Sequence, residues 1–95
     1  MTDRPLVRLV RTCTACPEQY DAYIGDDLVG YLRLRHGSFT VRCPDSNGEL
    51  VYEAAPDGDG CFDVEERDRY LRFAVAAILS YVETRVPDVE YVIDE

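Results

Sequence analysis

The sequence predicts an α+β domain, in which an antiparallel meander of four to five strands precedes one long C-terminal helix packed on one face. Three observations support this fold class. Apolar and polar residues alternate in short segments of the first half, an Asn47-Gly48 pair separates two such segments, and an apolar stripe of helical period follows residue 63. With 95 residues, 46% of them hydrophobic, the chain has room for a single globular domain over residues 1–95.

Five segments before residue 55 are predicted to be strands, because they are short, rich in β-forming residues and bounded by turn residues. They cover residues 6–11, 20–24, 28–36, 39–43 and 49–54. In the third segment the alternation places Leu28, Leu32 and Leu34 on the core face and Tyr31, Arg33 and Arg35 on the outer face.

The Asn47-Gly48 pair is typical of a two-residue type I′ hairpin turn. Counting outward from it places Ser46 opposite Glu49, Cys43 opposite Tyr52, and Arg42 opposite Glu53. This register puts Phe39, Val41, Cys43, Leu50 and Tyr52 on the core face, with Leu32 and Leu34. It puts Arg33, Arg35, Thr40, Arg42, Glu49 and Glu53 on the outer face.

The predicted helix begins after Asp63, a good N-cap residue, and Glu66 completes a capping box. It is expected to run from residue 64 to about residue 85, because Pro87 prevents much continuation. Its apolar stripe consists of Leu71, Ala74, Val75, Ile78 and Val82, widened by Tyr70, Phe73, Ala77 and Tyr81. Residues 89–93 are a candidate last strand, either on a sheet edge or across a dimer interface.

The four cysteines are candidate ligands of a structural zinc ion. Cys13 and Cys16 form a C-x-x-C pair, and Cys43 and Cys61 would complete a tetrahedral set of thiolates. The alternative is that these are unreactive buried thiols, which fits the core-face position of Cys43. Disulfide or redox chemistry is a third possibility, although a strand rather than a helix is predicted after the C-x-x-C pair, unlike the thioredoxin arrangement.

The outer face of the sheet carries the candidate binding residues Tyr31, Arg33, Arg35 and Arg42, which Arg8 or Arg11 would join. A three-stranded sheet with arginines, backed by a helix, resembles in topology the plant AP2 domain and the arm-binding domains of phage integrases, which implies nucleic-acid binding. The net charge of −9 opposes that function. The other interpretations are a protein-binding surface, and a solvated face in which Arg42 and its neighbours pair with Glu49 and Glu53.

Charge is unevenly distributed along the chain, and it directs the search for an anion-binding surface. Residues 1–43 contain six arginines and five acidic residues, whereas residues 44–95 contain four arginines and fourteen acidic residues. An anion-binding surface is therefore expected in the N-terminal half. The sequence shows no signal peptide and no apolar stretch long enough to span a bilayer, so we expect a cytoplasmic protein without membrane contact.

No catalytic constellation is present in the sequence, so we expect a protein that is not an enzyme. His36 is the only histidine, and no nucleophile, base and orienting group or phosphate-binding loop can be assembled. Asp57, Asp59 and Asp63 suggest a calcium loop, but position twelve counted from Asp57 lacks the glutamate of an EF-hand. These aspartates are better explained as turn and capping residues.

Three segments, residues 15–21, 30–37 and 58–62, resemble segments of small, acidic, uncharacterised proteins of phages and GC-rich microbes. The resemblance implies an accessory or regulatory role rather than housekeeping catalysis. We therefore expect a non-catalytic binding or regulatory module that acts through a protein partner, with a homodimer as one form of that partnership. The alternative is a small nucleic-acid-binding regulator, which a zinc ion would stabilise.

Overall fold

Six strands form one sheet in the computed structural model, which describes residues 6–13, 18–58, 60–82 and 91–94. The strands are β1 Val7–Arg11, β2 Glu18–Ile24, β3 Asp27–Arg35, β4 Ser38–Cys43, β5 Glu49–Ala54 and β6 Tyr91–Asp94, and the helix is α1 Val64–Tyr81. The strand order is β5-β4-β3-β2-β1-β6. The first five strands form an antiparallel meander, whereas β6 joins the sheet parallel to β1. The predicted fold class is confirmed.

The core lies between one face of the sheet and α1, because alternate strand residues and the helical stripe are the apolar positions. Helix α1 packs on β3, β4 and β5. The buried apolar residues are Val7, Leu9, Tyr20, Ala22, Leu32, Leu34, Phe39, Val41, Cys43, Phe62, Leu71, Ala74, Val75, Ile78 and Leu79. Fully burying one of the larger apolar side chains contributes about 1.5–3 kcal/mol, so this cluster is the main source of stability.

A bulge between β2 and β3 corrects the expected position of Leu28. Ala22 pairs with Gly30, but the next pair is Tyr23 with Leu28, so Val29 is an extra residue. The extra residue moves Leu28 off the core face, and 39% of it is exposed. Gly30 takes the core position instead. A Cβ there would lie 2.7 Å from Ile78 Cδ1, so a larger residue at position 30 would require the Ile78 side chain of α1 to shift.

The β4–β5 register also differs from the predicted one. Cys43 pairs with Glu49 and Arg42 with Leu50. A bulge at Val51 then places Val41 opposite Tyr52. Leu50, expected in the core, is therefore on the outer face and 41% exposed, while Val51 packs against the core.

The cause of this difference is a loop that is longer than a two-residue turn. Asp45 organises it, since its carboxylate accepts the Asn47 N–H at 2.9 Å and its carbonyl accepts the Gly48 N–H at 2.9 Å. Gly48 lies so close to the Cys43 carbonyl that a Cβ would be 2.0 Å from its oxygen. The Asn-Gly pair therefore serves a close backbone approach rather than a type I′ turn.

Helix α1 begins as predicted, with Glu66 accepting the N–H of Asp63 at 3.0 Å. It ends at Tyr81, and the Val82 N–H bonds to the Ile78 carbonyl; the predicted extension to residue 85 lies outside the described residues. Strand β6 lies on a sheet edge, and residues 89 and 90 of the predicted last strand also lie outside the description. No helix in the part of the chain that the structure describes is long and apolar enough to cross a membrane.

Candidate anion-binding site

A hairpin with a two-residue turn, His36 and Gly37, joins β3 to β4. Both residues have positive φ, 53° and 75°, the signature of a type I′ turn. Glycine adopts this conformation without strain, whereas histidine has a Cβ that opposes it. The turn fixes the pairing of Arg35 with Ser38, and then of Arg33 with Thr40.

An open groove of about 250 Å³ lies on the outer face at this end of the hairpin. It is lined by Arg33, Arg35, His36, Ser38 and Thr40. Because Arg33 and Arg35 are two residues apart on one strand, their side chains leave the same face about 7 Å apart. Thr40 lies opposite Arg33, so their side chains are neighbours on the outer face of the strand pair.

Arg33, which lines the groove, has a buried side-chain nitrogen without a hydrogen-bond partner. Its Nε is buried and donates no hydrogen bond to any described group. Most buried polar groups in proteins are hydrogen-bonded, and leaving one unsatisfied costs about 1–3 kcal/mol, more for a charged group. A ligand that brings a hydrogen-bond acceptor to the Arg33 guanidinium would remove this cost.

No described carboxylate forms an ion pair with the arginines of this groove. The ion pairs among the described residues are Arg8 with Asp94, Arg67 with Glu18, and Arg72 with Asp68, so none includes Arg33 or Arg35. The β4–β5 register places Glu53 opposite Thr40, beside the groove, rather than opposite Arg42, and it places Glu49 opposite Cys43. The interpretation of the outer face as a network of cross-strand ion pairs is therefore unsupported at these two arginines.

The other predicted binding residues are occupied within the protein. Arg42 donates to the Gly48 carbonyl at 3.2 Å, and the Tyr31 hydroxyl donates to Gln19 Oε1 at 2.9 Å. Tyr31 pairs with Arg42, so both lie next to the groove without lining it. Of the two remaining candidates, Arg8 stacks on Tyr23 with 5.0 Å from Cζ to the ring centroid, and Arg11 donates to the Cys13 carbonyl at 3.0 Å.

The described cysteines, Cys13, Cys43 and Cys61, do not form a metal-binding group. Cys43 is fully buried on the core face, which raises the pKa of its thiol to about 11 through burial and the nearby Glu49 carboxylate. Cys13 is half-buried with a free thiol, and Cys61 is in a disulfide. Cys16 lies outside the described residues. In this arrangement Cys61 offers no thiolate, and the described cysteines belong to no group with metal-ligand spacing.

One group of acidic residues, Asp57, Asp63 and Glu66, has atoms close enough to hold a cation. The Glu66 carboxylate is already committed, since it accepts the backbone N–H groups of Asp57, Gly58 and Asp63 at 2.8–3.0 Å. Burial would raise the pKa of Glu66, but these backbone hydrogen bonds outweigh it and hold the pKa below its ordinary value. The group is a loop anchor, which agrees with the predicted turn and capping roles; Asp59 is outside the description.

A second buried carboxylate, Glu18, ties the start of β2 to the loop and the helix. It accepts hydrogen bonds from the Tyr20 hydroxyl at 2.5 Å, the Phe62 N–H at 3.0 Å, and Arg67 Nε at 2.9 Å. Burial would raise the pKa of Glu18, yet the bonds from Arg67, Tyr20 and Phe62 lower it overall. Because its acceptor capacity is used by internal donors, Glu18 is a structural group and does not extend the site.

The sequence indicated Arg33, Arg35 and Thr40 on one face but missed His36 and Ser38 as members of the groove. The signal that would have found them is the turn itself. A two-residue turn at His36 and Gly37 makes Arg35 and Ser38 the closing pair of the hairpin, which brings the turn residues next to the arginines.

Comparison of the chain with protein-family models, with curated proteins and with solved structures found no match. Functional inference for this protein therefore rests on the groove and its surroundings.

Proposed function

We propose that this protein is a non-catalytic binding module that contacts a protein partner through the groove on its outer sheet face. The groove would receive an anionic side chain of the partner. The observation that carries the proposal is a groove lined by two arginines, Arg33 and Arg35, neither of which forms an ion pair with a described carboxylate. A planar guanidinium recognises oxyanions by paired, charge-assisted hydrogen bonds.

The chemistry of the groove supports binding rather than catalysis. Its side chains are guanidiniums, hydroxyls and one imidazole, and no carboxylate or thiol lines it. His36 is the only group in it suited to general base catalysis, and no carboxylate of the groove is available to orient its ring. The two-residue turn and the β3–β4 ladder fix the places at which Arg33 and Arg35 leave the sheet, so the donors are brought together before a ligand binds.

Each arginine of the groove should contribute measurably to affinity. Hydrogen bonds to charged groups are worth about 1.5–3 kcal/mol, so removing one guanidinium should weaken binding roughly tenfold to a hundredfold. Arg69 provides a matched control, because it is an exposed arginine on α1, which covers the opposite face of the sheet, and it stacks on Tyr70 at 5.0 Å.

The experiment is an NMR titration that observes the arginine Nε–H resonances of ¹⁵N-labelled protein. The probes are a synthetic peptide with several glutamates and the same peptide with glutamines in their place. We expect the glutamate peptide to shift the Arg33 Nε–H signal and the effect to vanish in Arg33→Gln, while Arg69→Gln behaves as wild type. An Arg33 signal that no anionic peptide moves would overturn the proposal.

Nucleic-acid binding remains the alternative, and the same titration tests it with a short duplex and a single-stranded oligonucleotide. The net charge of −9 opposes approach to a polyanion, and a genuine nucleic-acid site should bind with a strong salt dependence. The homodimer and the structural zinc ion also stay predictions. Native mass spectrometry under reducing conditions distinguishes a dimer mass from a monomer mass and detects a zinc ion directly.

A further inference from the structure

We infer that the anionic group received by the groove is a phosphoryl group, carried on a phosphorylated side chain of the protein partner. This inference rests on the proposed function and names its ligand class. The groove offers more hydrogen-bond donors than a carboxylate can use. Arg33 and Arg35 each carry several N–H donors, and Ser38, Thr40 and His36 add further hydrogen-bond donors around the same groove.

A carboxylate has two oxygens in one plane and is satisfied by a single guanidinium in the paired geometry. A phosphoryl group offers three acceptor oxygens directed in different ways and carries a charge of about −1.5 to −2 at neutral pH. Two arginine side chains that leave β3 about 7 Å apart, with the hydroxyl residues Ser38 and Thr40 on the neighbouring strand, can approach a tetrahedral group from several directions, which suits it better than a flat group.

The positive charge available for binding is local, which favours one phosphorylated side chain over a nucleic-acid backbone. Arg42 is bonded to the Gly48 carbonyl, and Arg8 pairs with Asp94. A backbone of successive phosphates needs a continuous track of cations. Three arginines of the described outer face, Arg33, Arg35 and Arg42, form no ion pair and lie around one hairpin, and the net charge of −9 opposes the approach of a long polyanion.

The test measures the affinity of three fluorescent peptides that differ at one central residue, phosphoserine, glutamate or serine. We expect the phosphoserine peptide to bind on the order of tenfold more tightly than the glutamate peptide, and the serine peptide not to bind. Arg35→Gln, at an exposed position that threatens folding less than Arg33, should weaken phosphoserine binding at least about tenfold. Thr40→Val, which keeps the side-chain shape, should reduce the advantage of phosphoserine, and Arg69→Gln should change nothing.

The outcomes separate this inference from the proposed function. Equal affinity for the phosphoserine and glutamate peptides, both dependent on Arg35, overturns the phosphoryl inference and leaves the binding module intact. If a single-stranded oligonucleotide binds more tightly than the phosphoserine peptide and depends on the same arginines, the partner is a nucleic acid rather than a protein, which overturns the inference. Failure of every anionic probe to bind overturns both.

Discussion

Replacing the buried Glu18 carboxylate by an amide should be among the most damaging single changes outside the apolar core. In Glu18→Gln the side chain keeps its shape but loses its charge and gains N–H donors. It would then face Arg67, the Tyr20 hydroxyl and the Phe62 N–H, all of which donate to the native carboxylate. At least one of these donors loses its acceptor.

The magnitude follows from the burial of the two partners. Removing one member of a fully buried ion pair costs about 3–5 kcal/mol. Glu18 is completely buried, but the Arg67 side chain is 31% exposed, so water compensates part of the loss on that side. We therefore expect Glu18→Gln to lower the free energy of unfolding by about 3 kcal/mol, a large fraction of the stability of a small domain.

Equilibrium unfolding in urea, followed by far-ultraviolet circular dichroism, measures this change. Glu53→Gln is the matched control, because Glu53 is exposed on β5, and it should stay within about 0.5 kcal/mol of wild type. A cycle that adds Arg67→Leu isolates the coupling between the two residues. A loss below about 0.5 kcal/mol for Glu18→Gln, or no coupling in the cycle, would refute the assigned role of this ion pair.

Three further predictions follow from the same structure. Glu18 and Glu66 both have a folded-state pKa below the ordinary value of 4.5, so the stability they contribute is present above that pH and is lost as pH falls through the folded pKa. The free energy of unfolding, measured during an acid titration, should fall steeply below about pH 4.5, and it should fall less steeply in Glu18→Gln. The same slope in both proteins would contradict this prediction. Gly30→Ala should lower stability by about 1–3 kcal/mol, measured by thermal unfolding, because its Cβ would meet Ile78 Cδ1 at 2.7 Å; an unchanged melting temperature would show that Ile78 moves aside freely. Cys43, with its thiol pKa raised to about 11, should resist iodoacetamide at pH 8 until the protein unfolds, as judged by mass spectrometry, and rapid labelling in native buffer would contradict its burial.

The meander and the helix could be predicted because each depends on local patterns. The alternation in β3 and the capping pair Asp63 and Glu66 are visible within a few residues of sequence. The positions of Leu28 and Leu50 could not be predicted in the same way. Each lies beside a bulge, and one extra residue reverses the side-chain alternation that the sequence pattern assumes to be continuous.

The site was predictable in its charge but not in its form. Alternation alone placed Arg33 and Arg35 on one outward face. Whether these arginines form ion pairs depends on where the β5 register places Glu49 and Glu53. The pair of Glu18 and Arg67 shows the same limit, since these residues are 49 positions apart and no short-range signal connects them. Contacts of this kind are decided by the assembled sheet and helix rather than by neighbouring residues.

The parallel pairing of β6 with β1 has a consequence for the order in which the domain forms. Residues such as Val7 and Tyr91 are 84 positions apart, while β1 to β5 are joined by short connections. Closing a longer loop costs more chain entropy, so hairpins form early and the most distant pairing forms late. Strand β6 is held by its ladder to β1, by the exposed ion pair of Arg8 with Asp94, and by the Tyr91 hydroxyl, which donates to Asp68 at 2.6 Å. The last strand is therefore the element that opens first, and its amide hydrogens should exchange with solvent well before those of β3.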